Sequence, residues 1–378
     1  MQLDRSSKCT PAWILLLYSF CSSYAIASDQ HLLRLLVWEG YAPEEQRQEF
    51  KDFILAKYEV DLKLEVDYIT TAEDGFEALR LQKADIVSPA HNRINDKRFR
   101  MIDLGLILPI NLDHIPNYQD LNPSFKHLSH LVKNRKHYGL PFAWGPYGLV
   151  YNTKLFETPP SSWNTLWAAH FNNKLSIADY GEINIYITAL ALGYEINDIG
   201  NFEKLNNKLF RDKLGALVAN AKSLWVGVDS ADDLQNLTLA SSWGFALPEL
   251  KSRGELWSWA HPVEGVPGWI DNHVISHSLK DKPILKRIAE EWINYTISVE
   301  FQAKVLVEAL GTHPVNQVTA DLSTPEQKQA FYAESFDDAE ASIMLMPELD
   351  RRTRNGMDIL WKEALTNQHI KNQSANIE

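Results

Sequence analysis

The chain has two cysteines in 378 residues, Cys9 and Cys21, both within its first 21 positions. Everything downstream lacks a disulfide framework, a thiol nucleophile and a cysteine metal site. Basic charge is also short: 37 Lys+Arg stand against 49 Asp+Glu, a formal net charge of −12. A nucleic-acid binder normally carries a basic face, so the balance argues against that partner. It suits a cationic ligand, and it equally suits plain solubility. After the first 30 residues no apolar run is long enough to span a bilayer. A P-loop, a G-x-S-x-G elbow and an H-E-x-x-H helix are all missing. So are internal repeats, low-complexity tracts and charge blocks. Hydrophobic residues at 45% and charged residues at 23% exclude disordered, collagenous and multi-span chains.

What is present begins with an export signal. Arg5 and Lys8 are basic, Pro11 to Phe20 is mostly apolar, and Ala25-Ile26-Ala27 has the A-x-A form of a cleavage site. Cleavage between Ala27 and Ser28 is expected, with Phe20 before Cys21 arguing against a lipoprotein. That cleavage removes both cysteines, and a cysteine-free exported chain fits a bacterial periplasm best. Twelve tryptophans are a high count, as in aromatic binding clefts, though cores use them too.

At roughly 150 residues per domain the length gives two domains or one large one. Leu32 to Trp38 is a nearly continuous apolar run, the pattern of a buried parallel strand. Pro43 suits the first position of a helix to about Tyr58, with Phe50, Phe53 and Ile54 on one face. Leu62 to Tyr68 alternates as a strand. Thr71-x-x-Asp74 reads as a capping box before a helix through Phe76, Leu79 and Leu81. Asp85 to Ser88 is a strand stopped by Pro89. This β-α-β-α-β order is that of a doubly wound sheet. The pattern restarts with strands at Tyr147–Tyr151 and Leu175–Asp179, then a helix over Ile183–Leu192. Ser241–Trp243 and Trp269–Ile275 are further strands. From Lys280 the chain turns helical, with Ile284, Leu285, Ile288, Trp292 and Ile293 in one stripe. The fold class is α/β, two doubly wound lobes.

Several stretches in order resemble the type II periplasmic solute-binding proteins, and within them the spermidine/putrescine-binding family. They are Val37-Trp38-Glu39-Gly40-Tyr41, Ala84-Asp85-Ile86-Val87-Ser88-Pro89 and Leu140-Pro141-Phe142-Ala143-Trp144-Gly145. Ser162-Trp163-Asn164-Thr165-Leu166-Trp167, Ser242-Trp243-Gly244, Gly268-Trp269-Ile270-Asp271 and Leu310 to Asn316 complete the series. The resemblance covers about Leu32 to Asn316, nearly the whole chain after the leader. It implies two lobes joined by crossing segments near Pro141–Trp144 and Val266–Asp271, with a hinge and the ligand between them. One lobe is expected over 28–140 plus 271–311, the other over 142–266 plus 315–378.

The resemblance implies a polyamine pocket of aromatic walls and carboxylates. Indole faces bury methylenes and attract ammonium groups, and carboxylates grip them through charge-assisted hydrogen bonds. Trp38, Trp243, Trp269 and Asp271 match pocket positions; Tyr41 and Trp144 belong to the matching motifs. Elsewhere the sequence departs. Ala90, His91 and Asn92 stand where the branch has Ser and Tyr. Tyr180 and Ile183 stand where it has an acidic pair, and Thr312 where it has Tyr. Glu39, Asp179 or Glu182 is expected to compensate, or else to be surface charge.

The segment Pro89 to Asn92 with Asp96-Lys97-Arg98-Phe99 is similar to a sub-branch that senses norspermidine and spermidine in biofilm control. Its members report to a membrane-bound cyclic-di-GMP enzyme rather than feeding a transporter. The expected partners are a polyamine-like small cation and either an inner-membrane ABC permease or such a sensor enzyme. A monomer without cofactor, metal or catalytic residues is expected. His127-x-x-His130 and His273-x-x-x-His277 have spacings a metal could use, but neither pair is expected to hold one. Two alternatives stay open: another small organic cation or amino-acid derivative in the same fold, and an enzyme on a two-lobed scaffold.

Overall fold

The computed structural model describes residues 31–71, 73–332 and 343–375. The expected leader, its cleavage point and both cysteines lie outside them. The apolar run at the start becomes strand His31–Val37, with Leu33, Leu35, Leu36 and Val37 buried. It pairs in parallel with Leu62–Tyr68 on one side and Ile86–Val87 on the other, as expected for a strand covered on both faces. Helix Glu44–Tyr58 connects the first two strands and buries Phe50 and Ile54. Phe53, expected beside them, is 41% exposed and lies at the margin under the Lys57 ammonium. The reading of Thr71-x-x-Asp74 holds by half. Asp74 accepts from the backbone N–H groups of Thr70 and Thr71 and from both hydroxyls, but the Thr71 hydroxyl donates rather than caps.

The first sheet runs in the order His313–Pro314, Leu140–Pro146, Val266–Ser276, Ile86–Val87, His31–Val37, Leu62–Tyr68, with Ile107–Leu108 and Ile343–Leu345 also on Val266–Ser276. The second runs Ser223–Trp225, Leu175–Ala178, Leu239–Ser242, Gly148–Asn152, Trp257–Trp259. Both are mixed, with parallel strands joined through helices and antiparallel returns. The chain changes sheet at Tyr147, between Leu140–Pro146 and Gly148–Asn152. It changes back between Trp259 and Val266. Both strands at these crossings are wholly buried and pair antiparallel with each other.

Helix Pro283–Thr296 supports the first sheet through Ile288, Trp292 and Ile293. Ile284, expected in that stripe, is 54% exposed because the first turn after Pro283 is only partly covered. The C-terminal helix Arg351–Ala375 instead packs on Lys208–Asn220 and Gly181–Ala191, the helices of the second sheet. Among the described residues no helix is long and apolar enough to cross a membrane.

Candidate functional site

The two sheets leave a cavity of about 340 Å³ between them, within the range of small-molecule sites, roughly 300–1,000 Å³. Its lining comes from strand ends and the turns after them, where an open α/β sheet places ligands. The first sheet supplies Trp38 and Tyr41 after strand His31–Val37, and Ser88 to Ala90 with Asn92 and Arg93 after strand Ile86–Val87. The second supplies Asp179 and Tyr180, Trp225, and Trp243 with Phe245. Strand Val266–Ser276 gives Trp269 and Asp271, two apart on one face as strand periodicity requires. A register shift follows immediately, between Asp271 and Asn272, and such irregularities commonly re-aim side chains at sites.

Local packing fixes the aromatic wall. Gly40, at φ +86° with Leu310 2.7 Å from where a Cβ would sit, turns the chain between Trp38 and Tyr41. Gly145 leaves room for Trp269, whose ring lies 3.0 Å from a hypothetical Cβ. The Trp269 indole Nε1 donates to Pro146 O at 3.1 Å. Trp243 stands edge-on to Trp269, centroids 6.3 Å apart, and to Tyr147 at 4.5 Å. The backbone N–H of Trp243 donates to Asp229, a buried carboxylate that also accepts from Ser242 and from the Ala246 N–H.

Asp271 is the electrostatic centre of this wall. It is 6% exposed. The Tyr41 hydroxyl donates to its Oδ2 at 2.7 Å, and no Lys or Arg among the described residues pairs with it. Burial pushes its pKa up to about 7, against the pull of the Tyr41 hydroxyl and, more weakly, of the Trp38 indole N–H. Trp38 Nε1 is itself buried and completes no hydrogen bond. Burial, then the adjacent Asp271, raises the Tyr41 pKa well above its ordinary value, so the phenol stays a neutral donor. The outer lining carries three exposed carboxylates: Glu73, Asp179 and Asp358. Asp179 accepts from Trp361 Nε1 at 3.1 Å. Burial, then the charge of Glu73, raises the Asp358 pKa.

Eight of the twelve site residues expected from sequence are brought together here: Trp38, Tyr41, Asn92, Asp179, Tyr180, Trp243, Trp269 and Asp271. Four do not line the cavity. Glu39 is exposed on the turn outside it. His91 is buried, with Nε2 on Met346 O at 2.8 Å and Nδ1 accepting from the Ile270 N–H at 3.2 Å. A carbonyl can only accept, so this ring is the neutral Nε2–H form, and burial lowers its pKa to about 3. Trp144 points away, donating to Pro314 O at 3.1 Å and packing on His313 and Phe125. Glu182 is buried behind the lining in contact with two arginines. His130 and His273, from the two spaced histidine pairs, are held in the core by Asn272 and Ser88.

Sequence reading missed Arg93, Trp225, Phe245, Met346, Glu73 and Asp358 in the lining. The aromatic excess was the only signal for Trp225 and Phe245. Met346 and Asp358 follow Asn316, where the resemblance ends.

Comparison with known proteins agrees with this architecture. A family model described as bacterial extracellular solute-binding protein matches residues 82–339. The spermidine/putrescine-binding periplasmic protein 1 of Haemophilus influenzae is 21% identical over 310 residues, 80% of each chain. The putrescine/cadaverine-binding protein of Pseudomonas aeruginosa is 22% identical over 369 residues, 93% of this chain and 98% of the relative. The crystal structure of a spermidine/putrescine ABC transporter substrate-binding protein from Streptococcus pneumoniae superposes with a TM-score of 0.71 at 22% identity, covering 90% of this chain and all of that one. With its cleft between two mixed α/β sheets and a family match over most of its length, the chain belongs to the bacterial extracellular solute-binding proteins.

Proposed function

We propose that the chain captures a polyamine-class organic cation in its cleft, outside the cytoplasm, without transforming it. The observation that carries this reading is Asp271: a nearly sealed carboxylate with no cationic partner among the described residues, walled by Trp38, Tyr41, Trp243 and Trp269. A buried carboxylate lacking a counter-ion is costly, and an ammonium supplies one. The indole faces take the methylenes and add cation–π attraction of about 0.5–2 kcal/mol per contact. The rim carboxylates suit further amino groups. The names of the relatives, which bind spermidine, putrescine or cadaverine, support the same ligand class.

In this reading the leader is cleaved between Ala27 and Ser28. The lobes, 28–140 plus 271–311 and 142–266 plus 315–378, rock about the two crossing strands to enclose the ligand. Delivery goes to an ABC permease, which the relatives' transporter context supports. Signalling to a membrane cyclic-di-GMP enzyme in response to norspermidine is the other destination; the unusual segment 89–99 supports it.

Calorimetric titration with putrescine, cadaverine, spermidine and norspermidine tests the ligand class. At least one should bind, and Asp271→Asn, which keeps shape and removes charge, should weaken it by about 2–5 kcal/mol. Affinity unchanged in a folded Asp271→Asn variant removes Asp271 from the site. Binding of only an amino-acid derivative replaces the polyamine reading.

A further inference from the structure

Behind the lining lies an ion cluster that binds the two sides of the cleft to each other. Glu182 occupies the first turn of helix Gly181–Ala191, on the side of the second sheet. Arg93, on the short helix His91–Ile94 after the first sheet's strand Ile86–Val87, places Nη2 2.6 Å from Glu182 Oε2. Arg354, on the C-terminal helix, donates through Nη1 to the same oxygen. Arg354 Nη2 also lies 2.8 Å from Asp96 Oδ2, back on the first side. The Tyr180 hydroxyl donates to Glu182 at 3.3 Å, and Asn92 Nδ2 does so at 3.4 Å. Arg93, Arg354, Asp96 and Glu182 are all at most 6% exposed. Burial opposes the charge on Arg93, but Glu182 and Tyr180 outweigh it and hold the guanidinium firmly protonated.

Arg98 also pairs with Asp96 and with Glu73, so three guanidiniums and three carboxylates make a neutral set and little of their charge remains for a ligand. Arg93 also lines the cavity, and it is the one Lys or Arg among the described lining residues. The Arg93–Glu182 and Arg354–Asp96 pairs join opposite sides of the cleft, so both form only when the sides are together. Opening the cleft breaks both of these pairs.

We propose that Arg93 on Glu182 and Arg354 on Asp96 form a resident ionic clasp across the cleft, drawing it closed with the protein's own charges and leaving Asp271 as the buried carboxylate open to an ammonium. The closing role stands apart from the ligand; the selectivity role rests on the cation-binding reading. One terminal ammonium is read deeply at Asp271. Further amino groups meet rim carboxylates that water screens. Arg93 thereby sets specificity: it cancels the second carboxylate that would otherwise reward a longer, more highly charged amine.

Spin labels at Lys63→Cys and Lys251→Cys, one on each side, in a chain whose native cysteines are confined to the leader, report the distance across the cleft. In ligand-free protein, Arg93→Met, Glu182→Gln and the Arg93→Met/Arg354→Met pair should each shift that distance distribution to longer values. Distributions unchanged in all three overturn the clasp. Titration then tests selectivity. The parent should bind spermidine and putrescine within about fivefold, because exposed charges contribute little. Arg93→Met, which keeps the aliphatic stem and leaves the cluster one negative charge in excess, should raise the spermidine-to-putrescine ratio about tenfold. An unchanged ratio overturns the specificity role. Failure of the parent to bind any polyamine defeats the cation-binding reading, while the distance measurement still decides the clasp.

Discussion

Asp271 lines the cleft and Glu182 lies behind its lining, and each is 6% exposed. Their treatment differs completely. Asp271 has a neutral phenol as its donor, and its pKa rises to about 7. Glu182 has two guanidiniums, a phenol and an amide. Two equally buried carboxylates thus differ in whether their charge is met. In the sequence each is an acidic residue two positions after an aromatic one, Trp269 or Tyr180, and only the family resemblance set Asp271 apart.

Breaking the comparison at Glu182 should have the largest effect. Glu182→Gln leaves two buried guanidiniums facing one carboxylate, and unfolding stability should fall by about 3–5 kcal/mol. Asp271→Asn removes a buried charge that no described Lys or Arg pairs, and at pH 8 it should leave stability unchanged or raise it. Denaturant melts of both variants check this; equal losses would dissolve the distinction.

A pH titration sharpens it further. The folded pKa of Asp271 is raised to about 7 from an unfolded value near 3.9. The folded state thus binds the extra proton between those values. Its stabilising contribution is full below about pH 4 and is lost as pH rises through 7, at up to about 1.4 kcal/mol per unit. Asp271→Asn should lack that slope. Cation binding needs the ionised form, so ligand affinity should fall up to about tenfold per pH unit below 7. Titration at pH 7 in buffers of different ionisation heat should register proton release, and heats independent of buffer would contradict a raised Asp271.

The smallest effects separate the aromatic walls. Trp38 is half-buried, whereas Trp269 is 4% exposed and tied to Pro146. Trp38→Ala should cost about 1–3 kcal/mol of ligand affinity with little change in melting temperature. Trp269→Ala should lower both, and Trp269→Phe should recover part of each. A stability loss at Trp38 as large as at Trp269 would make both residues core.

The fold was legible because it rests on local periodicity: an apolar run for His31–Val37, alternation for Leu62–Tyr68, capping and turn residues between them. Trp269 and Asp271 were legible because two-residue spacing on a strand fixes their common face. What escaped depends on partners distant in sequence. Nothing near Glu182 announces Arg93, 89 residues before it, or Arg354, 172 after it. Trp144 sits in a matching motif, yet its strand lies between Val266–Ser276 and His313–Pro314, and its indole turns to Pro314. His91 was expected to face the ligand, but the carbonyl of Met346 and the N–H of Ile270 take both its nitrogens.

The crossing strands carry a kinetic consequence. Trp269 and Asp271 lie on Val266–Ser276 within the stretch paired to Leu140–Pro146, so they sit near the axis of any rocking motion rather than at its moving tips. A fulcrum barely travels. If the cleft captures a ligand as proposed, that ligand meets them in nearly the same arrangement at any angle wide enough to admit it. Its dwell time would then be governed by how long the arms carrying Trp38 and Tyr180 stay shut. The arrangement that receives a ligand and the motion that retains it would thus reside in different parts of one molecule.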